Sequence, residues 1–170
     1  KILKIMEDIH INWQGPYSLE KATQLTSDID YGLYQYYGGH SVYGENTLLY
    51  LGSATKQTLG QRLLQHNWHL WSTTPVEIYA GRLCVENKID LAEARNKLLF
   101  AEKILLFSHS PAFNTVNLNS INHNHNDVRI MNWGHRNKLL PEVSISRWEG
   151  GLTTGHSDPR KFLSVSFAYN

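Results

Sequence analysis

Apolar and polar residues alternate around Ile9, Ile11 and Trp13, which predicts a short extended segment that Gly15-Pro16 interrupts. Ser18 then suits the N-cap of a brief helix from Leu19 to Leu25. Tyr31 to Tyr37 reads Tyr-Gly-Leu-Tyr-Gln-Tyr-Tyr, an aromatic run that predicts a strand. Gly38 to Asn46 reads as a loop and Thr47 to Ser53 as a second strand, giving a hairpin with a long tip. Thr58 opens a helix expected to run to about Leu70, and Pro75 ends the loop that follows. Val76 to Glu86 predicts a third strand from its β-branched and aromatic content. Asp90 suits the N-cap of a helix from Leu91 to about Ser108, which must stop before Pro111. Residues 31–110 thus read β-β-α-β-α. The expected fold class is α+β, a small antiparallel or mixed sheet flanked by helices.

Residues 115–170 hold eight Asn, four His and two Trp, with only short strand-like stretches at Val128 to Met131, Val143 to Ile145 and Phe162 to Phe167. One compact domain is expected overall. Residues 1–27 would be an N-terminal extension packing on a core of residues 28–114, and residues 115–170 would extend the sheet or form a recognition surface.

Two helices break their own apolar pattern. At about 100° per residue, Leu91, Ala94, Leu98, Ala101 and Leu105 share an arc of roughly 80° that must face the core. Glu102 projects into that arc, about 20° from Leu91, whereas Glu93, Lys97 and Lys103 lie opposite. A carboxylate on a buried face has to be paired, protonated or bound to a metal. Arg95 is the plain structural partner. In the preceding helix Leu59, Leu63 and Leu70 define the stripe, His66 lies inside it and Arg62 borders it. A lone His there is ordinarily a satisfied core residue, but local violations of pattern in two helices point to a functional site. Tyr34 and Tyr50, on neighbouring antiparallel strands, could bring their hydroxyls to one place.

Composition narrows the choice of partners. The chain is 41% hydrophobic, enough to bury a core, and its 16 basic and 15 acidic residues leave a net charge of +1. That excludes a polybasic binder of the histone kind. Residues 1–54 hold 3 basic and 6 acidic groups and residues 55–170 hold 13 and 9, so an anionic partner should meet the later part of the chain. A single cysteine, Cys84, leaves no intrachain disulfide, and no apolar run reaches the roughly 18 residues of a membrane helix. A cytoplasmic protein that engages no membrane is expected. The pair His123 and His125 matches no zinc-site spacing and reads as a polar loop.

Taken together, the singled-out residues resemble the GIY-YIG nuclease superfamily. Gly32-Leu33-Tyr34 and Tyr50-Leu51-Gly52 stand as the two signature tripeptides, each with Leu for Ile. Arg62 follows Tyr50 by 12 residues and His66 comes four later, in a Gln-Arg-Leu-Leu-Gln-His run. Glu102 falls on the next long helix, and Asn114 follows it by 12 residues. The match covers residues 31–114, half the chain. The resemblance implies a metal-dependent phosphodiesterase acting on DNA, with Mg²⁺ (or Mn²⁺) held by Glu102 and no small-molecule cofactor. Arg62 would grip the scissile phosphate through its planar fork. Tyr34 and Tyr50 would flank the attacking water, one of them acting as general base through His66, with Tyr34 slightly favoured. Asn114 would anchor local geometry.

Lys56 and Arg82 are further candidates for phosphate contacts, set against the plain reading of solvated surface charge. The Gly38 to Asn46 loop, carrying His40 and Tyr43, is expected to be longer than the shortest family hairpins and could wedge a base step. No zinc finger, helix-turn-helix or helicase signature is visible, which argues against homing endonucleases with a separate DNA-binding domain and against the large excision-repair subunit. Small stand-alone members include type II restriction enzymes, and that is the preferred subclass, with a homodimer or sequential nicking needed to cut both strands. The alternatives are a structure-specific or repair nuclease targeted by a partner protein, and a catalytically silent DNA-binding module.

Overall fold

The computed structural model describes residues 7–118 and 128–144. Its frame is one six-stranded mixed sheet with helices on both faces, an α+β architecture. In chain order the elements are β1 (Glu7–Tyr17), α1 (Leu19–Ala22), β2 (Gly32–His40), β3 (Gly44–Ala54), α2 (Leu59–Leu63), β4 (Glu77–Cys84), α3 (Leu91–His109), β5 (Val128–Gly134) and β6 (Glu142–Ser144). A 3₁₀ turn, Trp68–Trp71, follows α2. The strand order across the sheet is β3-β2-β4-β1-β5-β6. Neighbours pair antiparallel except β1 and β5, which run parallel.

Residues before and after the hairpin region therefore build the middle and far edge of the same sheet. β1 passes through the expected break: Gly15-Pro16 has a cis peptide bond and the register against β4 shifts between Gln14 and Tyr17. Ile9, Ile11 and Trp13 face inward as their alternation implies. The Trp13 indole lies across Gly81, where an added Cβ would come within 2.7 Å of the ring. Asn132 accepts from the indole nitrogen of Trp13 at 2.9 Å, so the ring's one polar atom is satisfied inside the core.

Helix α3 is the best-defined helix. Asp90 caps it, its side chain accepting from the Glu93 amide at 2.7 Å. Leu98, Ala101, Ile104, Leu105 and Leu106 are buried against one face of the sheet, but Leu91 is 62% exposed and does not join them. The other face carries α1 and α2 over Tyr34, Tyr36, Leu49, Ile78 and Ala80.

Three local expectations are corrected. The helix expected to reach Leu70 ends at Leu63, because His66, Asn67 and Trp68 are poor helix formers and the chain tightens into three-residue hydrogen bonds from Gln65 and His66. Leu70 is 69% exposed, outside any core stripe. The brief helix after Ser18 ends at Ala22 rather than Leu25. The hairpin tip is short: β2 runs to His40, β3 starts at Gly44, and only three residues join them. Gly38 and Gly39 are strand residues because Ser72 and Thr73 occupy the space a Cβ would need, within 2.3 and 2.1 Å. Phe162 to Phe167 and the pair His123 and His125 lie outside the described residues. Among the described residues, no helix is long and apolar enough to cross a membrane.

Candidate active site at the edge of strand β3

Strand alternation sets the first two groups. β2 and β3 pair Tyr34 with Gly52 and Tyr36 with Tyr50, so all three tyrosines share the face beneath α2. The register shifts after Tyr36, where β3 carries an extra residue, and such bulges re-aim neighbouring side chains. Tyr34 and Tyr50 stack at 6.0 Å and 25°, and Tyr36 meets Tyr34 edge-on at 6.0 Å. Gly52 leaves the room for this. A Cβ there would fall 2.6 Å from the Tyr34 hydroxyl and 2.8 Å from the Tyr50 ring.

Helix α2 and the turn after it bring the next two. Thr58 and Gln61 form a reciprocal capping box, which fixes the helix start and hence the reach of the residues beyond. The His66 ring lies 5.6 Å from Tyr50 and 6.2 Å from Tyr34. Arg62 donates to Gln65 at 3.2 Å and lies within electrostatic reach of Tyr34, Tyr50, His66 and Glu102.

Glu102 comes from α3, on the opposite side of the sheet, and the group converges around β3, the outermost strand. Ser53 donates to Glu102 Oε2 at 2.7 Å. Arg95 does not pair with Glu102; its Nε donates to the Thr55 carbonyl at 2.9 Å. Asn114 sits outside the same edge, where its Oδ1 accepts from the Leu51 amide and its Nδ2 donates to the Leu51 carbonyl, both at 2.9 Å. The Ala112 and Phe113 amides donate to Leu48 and Leu49, so the segment after α3 covers an otherwise open strand edge.

The electrostatics follow from burial. Tyr34 is fully buried and its hydroxyl has no well-formed hydrogen bond within the described residues. Burial, then the neighbouring Tyr50, pushes its pKa far up, with Arg62 pulling back. Tyr50 is raised by burial and by the Glu102 charge, and Arg62 opposes. Both phenols are therefore protonated at neutral pH. Burial also raises Glu102, against the Ser53 hydrogen bond and Arg62. His66 is lowered, first by burial and then by Arg62, so its imidazole is neutral and able to take a proton.

Among the described residues no three His, Cys, Asp or Glu side chains gather. Glu102, half-buried and bonded to Ser53, is the carboxylate that could hold Mg²⁺, an ion that keeps most of its ligands as water and substrate oxygen.

The remaining candidates lie apart. Arg82 is tied to Asp30, Gln14 and the Ile29 carbonyl, which makes it a brace between strand and loop. Lys56 is exposed just beyond the end of β3. His40 and Tyr43 are at the hairpin tip, stacked on each other. Two residues of the group escaped the sequence reading. Tyr36 was findable, two positions after Tyr34 and so on its face; Ser53 carried no local signal, because its partner is 49 residues away. Against known protein families, curated proteins and solved structures, the chain has no match.

Proposed function

We propose that the chain is a metal-dependent DNA endonuclease of the GIY-YIG kind. The observation that carries this reading is the convergence of Tyr34, Tyr50, Arg62, His66 and Glu102, from two strands, two helices and the turn after α2, on one edge of the sheet. The β2-β3-α2-β4-α3 order and the antiparallel trio β3-β2-β4 support it as well.

Phosphodiester hydrolysis needs an activated water and relief of charge at the phosphate oxygens. Arg62 would bind a non-bridging oxygen with its fork, as an ammonium could not. Tyr34 and Tyr50, as neutral phenols, would orient the water by hydrogen bonds. Neutral His66 would take the proton, directly or through a phenol, which moves the base role away from an ionised Tyr34. Glu102 would hold Mg²⁺ or Mn²⁺, which when bound supplies further charge neutralisation at the phosphate. Asn114 and Ser53 touch no reacting atom and act by position. Cutting both strands of a duplex takes two such sites, so a homodimer or sequential nicking belongs to the restriction-type form of the reading.

The test is supercoiled plasmid and genomic DNA incubated with Mg²⁺, with Mn²⁺ and with EDTA. Discrete metal-dependent fragments support a stand-alone restriction-type enzyme. Nicking or cutting confined to branched DNA supports a structure-specific enzyme targeted by a partner protein. Binding with no cleavage in either metal overturns the nuclease reading in favour of a silent binding module.

A further inference from the structure

A row of rings runs from Phe113, the neighbour of Asn114, to the hairpin tip. His40 stacks on Tyr43 at 4.6 Å and 22°, and lies 5.4 Å from Phe113. Phe113 in turn meets Trp71 edge-on at 5.4 Å and 80°. Tyr43 is 69% and Trp71 60% exposed, beside the equally open Val42 and Leu70.

The row is held in place from below. His40 Nδ1 accepts from the Val42 and Tyr43 amides at 3.1 and 3.2 Å, which stiffens the hairpin turn. The Gly39 amide donates to Ser72 Oγ and the Gly39 carbonyl accepts from the Thr73 amide, both at 3.0 Å, tying the segment after Trp71 to β2. Phe113 donates to the Leu49 carbonyl, next to Tyr50, and precedes Asn114. Phe113 thus ties the row to the β3 edge at Leu49, one residue from Tyr50, and stands next to Asn114.

Charge decides what such a surface can take. Glu45 is the only formally charged residue in 38–49, 68–74 and 110–116, and the whole chain carries only +1. Duplex DNA is gripped mainly through its phosphates by Lys and Arg, which these three stretches lack. Unpaired bases add a contact that a closed duplex keeps inside its own stack, because each presents a π-face to an aromatic ring, beside the phosphate contacts that Arg62 would supply. We propose that the row His40, Tyr43, Phe113 and Trp71 is a stacking shelf for unpaired nucleobases of the DNA strand led to the site. The favoured substrate is then a flap, branch or single-stranded tract rather than uninterrupted duplex. This rests on the nuclease reading only for the cutting, not for the binding.

The test is equilibrium binding of the full chain, in EDTA, to a flap carrying a stacking-sensitive fluorescent purine in its unpaired tract, and to a duplex of the same sequence. The flap is expected to bind more tightly, with its fluorescence quenched. Tyr43→Ala and Trp71→Ala should each weaken it about tenfold, and Tyr43→Phe should not. Both side chains are exposed, so an unchanged melting temperature verifies the fold. Equal binding of flap and duplex, or alanine variants that bind the flap as well as the parent, would overturn the shelf. So would alanine variants that lose self-association and keep DNA binding, since the face would then join copies of the chain. Cleavage lost in Glu102→Ala is read separately, so the nuclease reading and the shelf can each fail alone.

Discussion

Asn114 closes two 2.9 Å hydrogen bonds on one residue, accepting from the Leu51 amide and donating to the Leu51 carbonyl. Leu51 lies between Tyr50 and Gly52 on an edge strand, so these bonds fix the backbone that carries the site. Asn114→Ala is expected to cost about 1–3 kcal/mol in urea denaturation, the range for unsatisfied buried partners. Asn114→Asp keeps the acceptor but sets a carboxylate against the Leu51 carbonyl, and should be no better than Ala.

Gly52→Ala tests the packing of the tyrosines directly. The new methyl would sit 2.6 Å from the Tyr34 hydroxyl and 2.7 Å from its ring carbon, on a strand that cannot retreat. A loss of about 1–3 kcal/mol is expected, with a change in the near-ultraviolet circular dichroism of the displaced rings.

Ser53→Ala removes the hydrogen bond that opposes the burial of Glu102. The carboxyl then holds its proton to higher pH. The expected outcome is an acid limb of the cleavage profile shifted upward, with cleavage at fixed pH roughly tenfold slower. Ser53→Thr should restore both.

Legibility differed from element to element for physical reasons. Helix α3 was readable because Asp90 and the periodic leucines agree, and both signals are local. The hairpin strands were readable in kind but not in length: Gly38-Gly39 mimics a turn, and what makes it strand is Ser72 and Thr73 packing from 33 residues away, as the Gly39–Ser72 bond records. The alternation at Ile9, Ile11 and Trp13 marked β1 as a strand but could not say that it lies between β4 and β5, since pairing partners leave no local period. In the candidate site, Glu102 stood out as a carboxylate beside an apolar helix face, whereas His66 was singled out on a helical stripe that the chain does not form, since α2 ends at Leu63. Arg82 shows the converse: a surface-looking cation gives no hint of the Asp30 carboxylate with which it pairs.

Acid sensitivity should be traceable to His109. Its Nε2 accepts from the Leu140 amide at 2.9 Å and its Nδ1 lies 3.0 Å from the Leu105 carbonyl, an arrangement that suits the neutral ring. Burial, its first cause, lowers its pKa below the usual 6.5, with the Leu105 carbonyl opposing. The unfolded ring protonates first as pH falls, so the contribution is full above pH 6.5 and is lost as pH drops through the lower folded value. His10, which accepts from Trp133, is lowered in the same direction. The melting temperature is expected to decline below pH 6.5, and His109→Gln should flatten the slope without abolishing it; an unchanged slope would remove His109 from the explanation.

The most direct measurement is single-turnover cleavage of plasmid DNA across a Mg²⁺ titration, for the parent chain and for Glu102→Gln. The parent is expected to reach a saturating rate that EDTA abolishes, and Glu102→Gln to be slower by about a hundredfold or more at any metal concentration. A variant that cuts at the parent rate, or cleavage that persists in EDTA, would contradict a metal-dependent nuclease built on Glu102.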